Sequence, residues 1–479
     1  MNAAGLTVLS LILAFAVINR GGVWTRDWNL CLLAIALLTL VYRFRDRNGQ
    51  APPLDRRSQG LLLAFVALAA IQLLPLPVSW VRLLSPARAD LLTATFPVLG
   101  IAPRAALTAA PAASLEHLMR FGGYLLVFLL VRDIAWRWSD SPWIPALPLV
   151  AIAALEAALG LFQSYAPGSD AFAAGTWVNH NHFAGFLEMC LPFAVMYPVA
   201  VLGRTRSRHV SPAAPAWIAC GMLSIAGVIF VAILHSLSRM GFLASLASLL
   251  AIGALALGAK RRGWKRWLPI GSFAALVLLG FVLLPSDPLI ARYAQLAPAD
   301  AISSDMRTGM WRDTLGLIKA FPLFGCGLGA YQSCFPRYQT VAPMYTIDFA
   351  HNDYLQYLAE LGALAFLAGL LFVFRVFRQA IRAAMDEPSP DRRYVALACT
   401  GSFVAISLHS FVDFNLYIPS NAMLLAWIAG IAATSLHSGW SKPSSRESRK
   451  SGNGRIGGDH RVERDWIVQE FATLETSGE

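Results

Sequence analysis

The chain has 479 residues, of which 56% are hydrophobic and 14% charged, and its mean hydropathy is +0.54. A composition this apolar excludes a string of ordinary soluble domains. The formal net charge of +11 does not indicate nucleic-acid binding, because the basic residues accompany no recognisable nucleic-acid-binding module. The composition predicts one polytopic membrane protein.

Apolar stretches of membrane-spanning length recur along nearly the whole chain, separated by short polar breaks. A bilayer core about 30 Å thick requires roughly 20 mainly apolar residues per helix. The predicted fold is therefore an all-α integral membrane protein with about twelve transmembrane helices. The predicted spans are 5–19, 29–43, 60–77, 118–136, 143–163, 183–203, 216–235, 240–259, 267–285, 354–377, 394–411 and 421–437.

The distribution of Arg and Lys predicts the orientation of these spans. With the N-terminus inside, every inner loop is rich in Arg or Lys, whereas the outer connections 164–182 and 412–420 contain neither. The net positive charge is then explained by membrane topology and by contact with anionic lipid. The first span lacks a basic segment before it and an obvious cleavage site, so we expect a retained helix.

The chain is expected to have three parts. Residues 1–174 hold about five N-terminal transmembrane helices, residues 175–438 form a transmembrane core that includes the large outer loop 286–353, and residues 439–479 form a flexible inner tail. A second long outer segment covers 78–117.

The large outer loop has its own predicted structure. Residues 306–321 have apolar positions at helical spacing before Pro322, which predicts an amphipathic helix near the outer interface. The glycines of PLFGCGLGAYQ (322–332) follow no strand and precede no GK[ST], so a tight turn is favoured over a nucleotide loop. Cys326 and Cys334 lie in this loop, where an oxidising exterior would allow a bridge that the sequence alone does not establish.

Five polar clusters are predicted to face the same outer compartment. They are GTWVNHNHFAGF (175–186), HSLSRMG (235–241), RTGMWRD (307–313), AHNDYLQ (350–356) and HSFVDFNLY (409–417). Such a one-sided collection of polar groups at helix ends indicates a reaction or binding site rather than a structural membrane subunit.

Three arginines in these clusters are candidates for binding an anion. Arg239 sits in a very short outer turn, where a permanent charge needs a partner or must snorkel to lipid phosphates. Arg307 and Arg312 lie about 140° apart on a helix, so both cannot easily face one ligand. Arg307 shares a face with Trp311 and is the preferred inward residue, although both arginines can also be solvated interfacial charges.

His351 is the candidate base, because an imidazole suits proton removal near neutral pH. Asn352 and Asp353 are candidates for substrate binding or for capping the next helix, and Asn179 and Asn181 for substrate binding or for a turn.

A catalytic metal is not favoured, because the histidines lack a zinc-binding spacing. The histidines that could be metal ligands are His180, His182, His235, His351 and His409.

The ordered set GTWVNHNHFAGF, SLSRMG, RTGMW with PLFGCGLG, and HNDYLQYLAELG resembles the O-antigen ligase and O-antigen polymerase family of bacterial envelope glycosyltransferases. The matching region runs from about residue 175 to 420. The resemblance implies a multi-spanning glycosyltransferase of the bacterial inner membrane, with its active site and large loop facing the periplasm. It implies that a glycan is transferred from undecaprenyl diphosphate to an acceptor hydroxyl on a lipid or glycan, without a nucleotide, cofactor or metal. By motif position it assigns donor-diphosphate binding to Arg239 and Arg307, with Arg312 as a competing cation, and the catalytic role to His351.

Several functional alternatives remain open at this point. The enzyme can be a surface-polysaccharide polymerase, a ligase or a protein O-oligosaccharyltransferase, and its mechanism a single displacement or a covalent route through Asp353 or Asp413. A polysaccharide transporter or flippase is the alternative from another class, although transporters usually place their charges near the bilayer midplane.

Overall fold

The computed structural model describes residues 2–45, 51–100, 103–166, 172–208, 213–261, 263–272, 275 and 304–434. Of these residues 78% are helical and very few form strands, which confirms the predicted all-α fold. Among them, the strands form one short antiparallel pair, in which Leu76 faces Ala105 and Pro77 faces Arg104. The predicted inner tail lies outside the described residues.

The α-helices of the described residues are, in chain order, α1 (Asn2–Ile18), α2 (Thr25–Arg45), α3 (Arg56–Ile71), α4 (Val78–Leu84), α5 (Pro86–Leu99), α6 (Pro111–Arg137), α7 (Leu147–Tyr165), α8 (His180–Arg208), α9 (Ala213–His235), α10 (Arg239–Ala259), α11 (Ser304–Ala320), α12 (Tyr331–Cys334), α13 (Asp353–Asp386), α14 (Pro390–His409) and α15 (Pro419–Ala432).

A helix occupies most of each predicted span except 267–285, which lies largely outside the described residues. Six of the described helices are long and apolar enough to cross a membrane, namely α2, α7, α8, α9, α10 and α13. The total of about twelve crossings and their orientation remain predictions.

Helices α8 and α14 form the centre of the bundle. A membrane-length window of α8 is 78% buried within the protein, against 22% for α2. Helix α14 packs against α8, α10 and α13. A Cβ atom added to Gly241 at the start of α10 would lie 2.6 Å from the Cβ of Ala184 in α8, so this glycine allows the two helices to approach closely. From His182 onward, the outer part of α8 is therefore buried among neighbouring helices.

The described part of the large outer loop packs with the earlier segment 78–117. The Ala109 amide donates to the Cys326 carbonyl at 2.9 Å. Helix α11 confirms the predicted amphipathic helix, and its apolar face meets α12 in a buried cluster that includes Phe321 and Tyr331. Cys326 and Cys334 are free thiols within the same cluster. The two segments thus form one small helical cap over the ends of the membrane helices.

The glycine-rich stretch forms the tight turn predicted for it. Gly325, Gly327 and Gly329 have φ values of 69°, 117° and 73°, which favour glycine. The turn is fixed to α13, because the buried Glu360 carboxylate accepts a hydrogen bond of 2.6 Å from the Gly329 amide. Gly362, with φ 69°, interrupts α13 where the backbone of this turn packs against it. The glycines therefore have a structural role that needs no phosphate ligand.

Candidate active site

The outer end of α8 begins at a side-chain cap. Asn179 Oδ1 accepts a hydrogen bond from the Asn181 amide at 2.8 Å, and the Asn179 carbonyl accepts from the His182 amide at 3.1 Å. Free amides at a helix start require such acceptors. Asn179 thus serves the turn that starts the helix, which is one of the two roles predicted for it. The cap also sets the position of His182, which is buried one turn into the bundle.

The connection between α14 and α15 is fixed against this end of α8. Asn421 Nδ2 donates to the His182 carbonyl at 2.9 Å and to Asn415 Oδ1 at 3.1 Å. Gly185 leaves the space that the Asn415 side chain occupies, because a Cβ atom at this position would overlap that side chain. These contacts place Asp413, which belongs to the same connection, beside His182.

The start of α13 brings in the third member of the site. Asn352 Oδ1 accepts from the Leu355 amide at 3.0 Å, and its Nδ2 donates to the Phe411 carbonyl at 2.8 Å. The Asp353 amide donates to the Ser410 carbonyl at 2.9 Å. Asn352 therefore caps α13 and connects it to the α14–α15 connection. Capping is one of the two roles predicted for Asn352; the other is substrate binding.

His351 adopts a backbone conformation that is unusual for a residue other than glycine. Its φ is 49°, a conformation that costs about 1–3 kcal/mol and persists only where the surrounding structure holds it. The preceding residue, Ala350, is held on both sides: its amide donates to Gln356 Oε1 at 2.6 Å, and its carbonyl accepts from Trp311 Nε1 at 3.0 Å. Strain of this kind at a polar helix entry is typical of functional sites.

These elements bring two imidazoles to one carboxylate. Asp413 Oδ1 lies 3.5 Å from His351 Nδ1 and 3.6 Å from His182 Nε2. Burial alone would raise the pKa of Asp413, but contacts with His182 and His351 hold this pKa well below its usual range. Asp413 is therefore an anion. His182, His351 and Asp413 form what we call the histidine layer.

The contact with Asp413 orients the His351 ring. A carboxylate beside Nδ1 favours the tautomer with its proton on that nitrogen, which leaves the Nε2 lone pair available. The His351 side chain is 15% exposed, against 6% for His182 and 2% for Asp413. Within the histidine layer, His351 is thus the side chain best placed to receive a proton from a bound molecule.

An aromatic floor supports the layer. Phe414 stacks on Phe349 with ring centroids 4.1 Å apart, and its edge meets the rings of His182 and His351 at 4.6 and 4.8 Å. Apolar packing beneath a charged group lowers the local dielectric and strengthens its electrostatic contacts.

The three candidate arginines lie on two helices that border this layer, Arg239 on α10 and Arg307 and Arg312 on α11. His180 Nδ1 lies 2.6 Å from the Ser236 carbonyl, which fixes the α9–α10 turn against the start of α8, and the exposed Arg239 is the first residue of α10. Arg307 is half-buried, and its charge is close enough to act on His180. Arg307 Nε is buried without a hydrogen-bond partner among the described residues.

Arg312 lies on the same helix as Arg307 but is more exposed. Its side chain is 75% exposed, and its Nε lies 4.0 Å from Asp313 Oδ1. Arg307 is thus the more buried of the two arginines, as their spacing on the helix predicts. Arg239, Arg307 and Arg312 form what we call the arginine rim.

The sequence analysis missed part of this arrangement. The sequence makes Asp413 a candidate for a covalent route and His182 a candidate metal ligand, but it does not indicate that the two side chains meet. Glu188 and His409 were not recognised as a pair, although they lie 3.0 Å apart with side chains 0% and 1% exposed. Within the described residues, no group of three or more His, Cys, Asp or Glu side chains is arranged to hold a metal ion.

A comparison with known protein families finds a match that covers part of these elements. Residues 222–370 match the family described as O-Antigen ligase. The chain contains an O-antigen ligase domain. The match includes the arginine rim and His351, but His182 and Asp413 lie outside it. This O-antigen ligase domain confirms the predicted family and supports glycan transfer as the general activity of a multi-pass membrane protein. No curated protein matches the chain.

Proposed function

We propose that this protein transfers a glycan from an undecaprenyl-diphosphate donor to an acceptor hydroxyl on the periplasmic side of the bacterial inner membrane. The observation that carries the proposal is the position of the Asp413 carboxylate 3.5 Å from His351 Nδ1, which leaves Nε2 of the same ring to accept a proton. The O-antigen ligase domain supports the class of reaction.

The acceptor hydroxyl is the weak reactant in this chemistry. His351 Nε2 takes its proton while the acceptor oxygen forms a bond with the anomeric carbon. The bond from that carbon to the diphosphate oxygen breaks, and the diphosphate leaves with the electron pair. Such general-base catalysis contributes about 10²–10⁴ in rate. The His351 imidazolium, stabilised by Asp413, afterwards releases the proton to water. A single displacement of this kind inverts the anomeric centre and requires no metal.

Arg239 and Arg307 are proposed to hold the donor diphosphate. Guanidinium groups form charge-assisted hydrogen bonds to phosphate oxygens, and they stabilise the charge that develops as the glycosyl bond breaks. Arg312 is the weaker candidate because its side chain is largely solvated. Asn181 and Asp353 remain candidates for contacts with the substrates.

Reconstitution of the full-length protein tests this function. Purified protein in nanodiscs, given an undecaprenyl-diphosphate glycan and candidate acceptors, should release undecaprenyl diphosphate and form a glycosylated acceptor in the presence of EDTA. Loss of activity on chelation would contradict the metal-free mechanism. Movement of the glycolipid across the bilayer without bond cleavage would instead identify a transporter.

The products that accumulate in cells distinguish the possible classes of acceptor. A deletion strain that accumulates single repeat units indicates a polymerase, whereas long chains left on the lipid carrier indicate a ligase. Transfer to a protein acceptor would identify a protein O-oligosaccharyltransferase.

A further inference from the structure

An apolar groove lies directly below the histidine layer. It is a cavity of about 290 Å³ between α3, α6, α13, α14 and α15, with aromatic and aliphatic walls that include Phe65, Phe121 and Tyr357. Cavities of this size and lining are typical of small-molecule sites. Its described lining residues include no Arg, Lys or His.

The groove has the length and opening of a site for a hydrocarbon chain. Its wall on α13 extends from Asp353 to Val376, a stretch at least as long as the roughly 20 residues that cross a hydrocarbon core. Val66 on α3 and Leu370 and Val373 on α13 line it and are exposed on the outer surface of the bundle. A chain can therefore enter sideways from the bilayer.

The outer end of the groove carries an incompletely bonded carboxylate. Asp353 is 1% exposed, and its Oδ2 accepts hydrogen bonds from Ser410 Oγ at 2.8 Å and from the Leu416 amide at 3.2 Å. Its Oδ1 is buried and has no hydrogen-bond partner within the described part of the chain. A buried polar atom without a partner is costly, so a hydroxyl group delivered by a ligand would be favourable here.

This carboxylate is connected to the proposed reaction site. The Asp353 amide donates to the Asp413 carbonyl at 3.2 Å, and His351 precedes Asp353 by two residues. A headgroup bound at Asp353 would thus lie close to His351, the proposed base.

We propose that the groove binds the hydrocarbon chain of a glycolipid acceptor and presents its uncharged, hydroxyl-bearing headgroup at Asp353. This inference rests on the proposed function and names its acceptor class. A lipid diphosphate fits poorly, because a buried diphosphate needs cations and the groove lining provides none. The arginine rim lies on α10 and α11, whereas α13 and α15 line the groove. Donor and acceptor then reach His351 from different sides, and the acceptor is not itself linked through a diphosphate.

Photolabelling of the full-length protein in nanodiscs tests the occupant. The probes are a dodecyl glucoside with a diazirine in its alkyl chain and a farnesyl diphosphate with the same group. The glucoside should label groove residues on α3 and α13, and the diphosphate should not compete with it. Specific labelling of the groove by the diphosphate probe would overturn the proposal in favour of the donor chain. Glucoside labelling spread evenly over the lipid-facing helices would also overturn it.

Neighbouring residues of α3 provide a matched pair of variants. Val66 and Ala67 are both exposed, but only Val66 lines the groove. Val66→Trp should reduce groove labelling at least about tenfold, because several methylene groups lose their burial, each worth about 0.8 kcal/mol. Ala67→Trp should leave labelling unchanged, and equal effects of the two variants would contradict the assignment.

The labelling is also measured in His351→Ala, which removes the proposed base. Groove labelling should persist in this variant. If the groove is labelled but the wild-type protein transfers no glycan, the proposed function is wrong and the lipid site is still supported. Glycan transfer by a wild-type protein whose groove is not labelled would support the proposed function and overturn the lipid site.

Discussion

The histidine layer and the arginine rim differ in how completely the protein fixes them. Each member of the histidine layer belongs to a segment held by buried hydrogen bonds, such as those that join Asn421 to His182 and Gln356 to Ala350. The rim side chains are less completely held: Arg239 is exposed, Arg312 is 75% exposed, and the half-buried Arg307 has an Nε without a hydrogen-bond partner among the described residues. The proton-handling part of the site is thus preorganised, whereas the cations are available to an incoming anion.

The largest effect should come from the histidine layer. His351→Ala should lower the transfer rate by about 10²–10⁴, because the acceptor hydroxyl loses its base. Binding of a fluorescent polyprenyl diphosphate should remain, since the rim is intact. His235→Ala is a suitable control, because His235 contacts Tyr165 at 2.9 Å and not the layer. Near-normal turnover in His351→Ala would refute its catalytic role.

The rim itself can be dissected with two arginines of the same helix. Arg307→Ala should reduce kcat/KM by about 10²–10³, the cost of removing one group that stabilises transition-state charge. Arg312→Ala should change it by less than about threefold, as expected of a solvated surface charge. Steady-state kinetics with varied donor concentration measure both. Equal losses would mean that the rim is not organised as described.

Asp413 should have an intermediate effect on turnover. Asp413→Asn should lower kcat by about 10–10², because an amide holds the His351 ring and its tautomer less well than a carboxylate. Donor binding should be unchanged. Asp386→Asn, which alters a surface pair with Arg266, is the matched control and should behave like the wild type. A weaker donor affinity with unchanged kcat would place Asp413 in substrate binding instead.

A smaller loss is expected from the support of the strained backbone. Gln356→Leu removes the acceptor for the Ala350 amide and should reduce kcat by about tenfold, equivalent to about 1.4 kcal/mol. Gln332→Leu removes an exposed contact with Asp348 and should change kcat little. Thermal unfolding of both variants checks that the fold is retained. Gln356→Leu with full activity would show that His351 does not depend on this support.

The smallest effect concerns stability in acid. The depressed pKa of Asp413 means that its anion stabilises the folded state above the unfolded pKa of about 4. That contribution is lost as the pH falls through the folded pKa. The wild type should therefore have the higher Tm at pH 7, and its advantage over Asp413→Asn should narrow below about pH 4. Intrinsic fluorescence during heating measures this difference, and an advantage that grows in acid would contradict the assignment.

Local patterns predicted the helices and part of the site. Apolar length located α8, α9, α10 and α13, and helical spacing distinguished Arg307 from Arg312. The glycine turn was predictable because three nearby glycines permit positive φ.

The pairing of His182 with Asp413 was not predictable, because the residues are far apart in sequence and meet only through the packing of α14 and α15 on α8. The sequence HSFVDFNLY draws attention to its aspartate, Asp413. The histidine that this aspartate contacts, however, depends on how the helices pack. The Glu188–His409 pair was hidden for the same reason.

The central claim is that the histidine layer and the arginine rim form one site, and a structure with a bound donor analogue tests it most directly. The analogue is a polyprenyl phosphonate glycan that cannot transfer its sugar. We predict its phosphorus atoms between Arg239 and Arg307 and its anomeric carbon beside His351 Nε2, with room for one acceptor oxygen. A diphosphate analogue bound away from both arginines, or a sugar that cannot reach His351, would contradict this account.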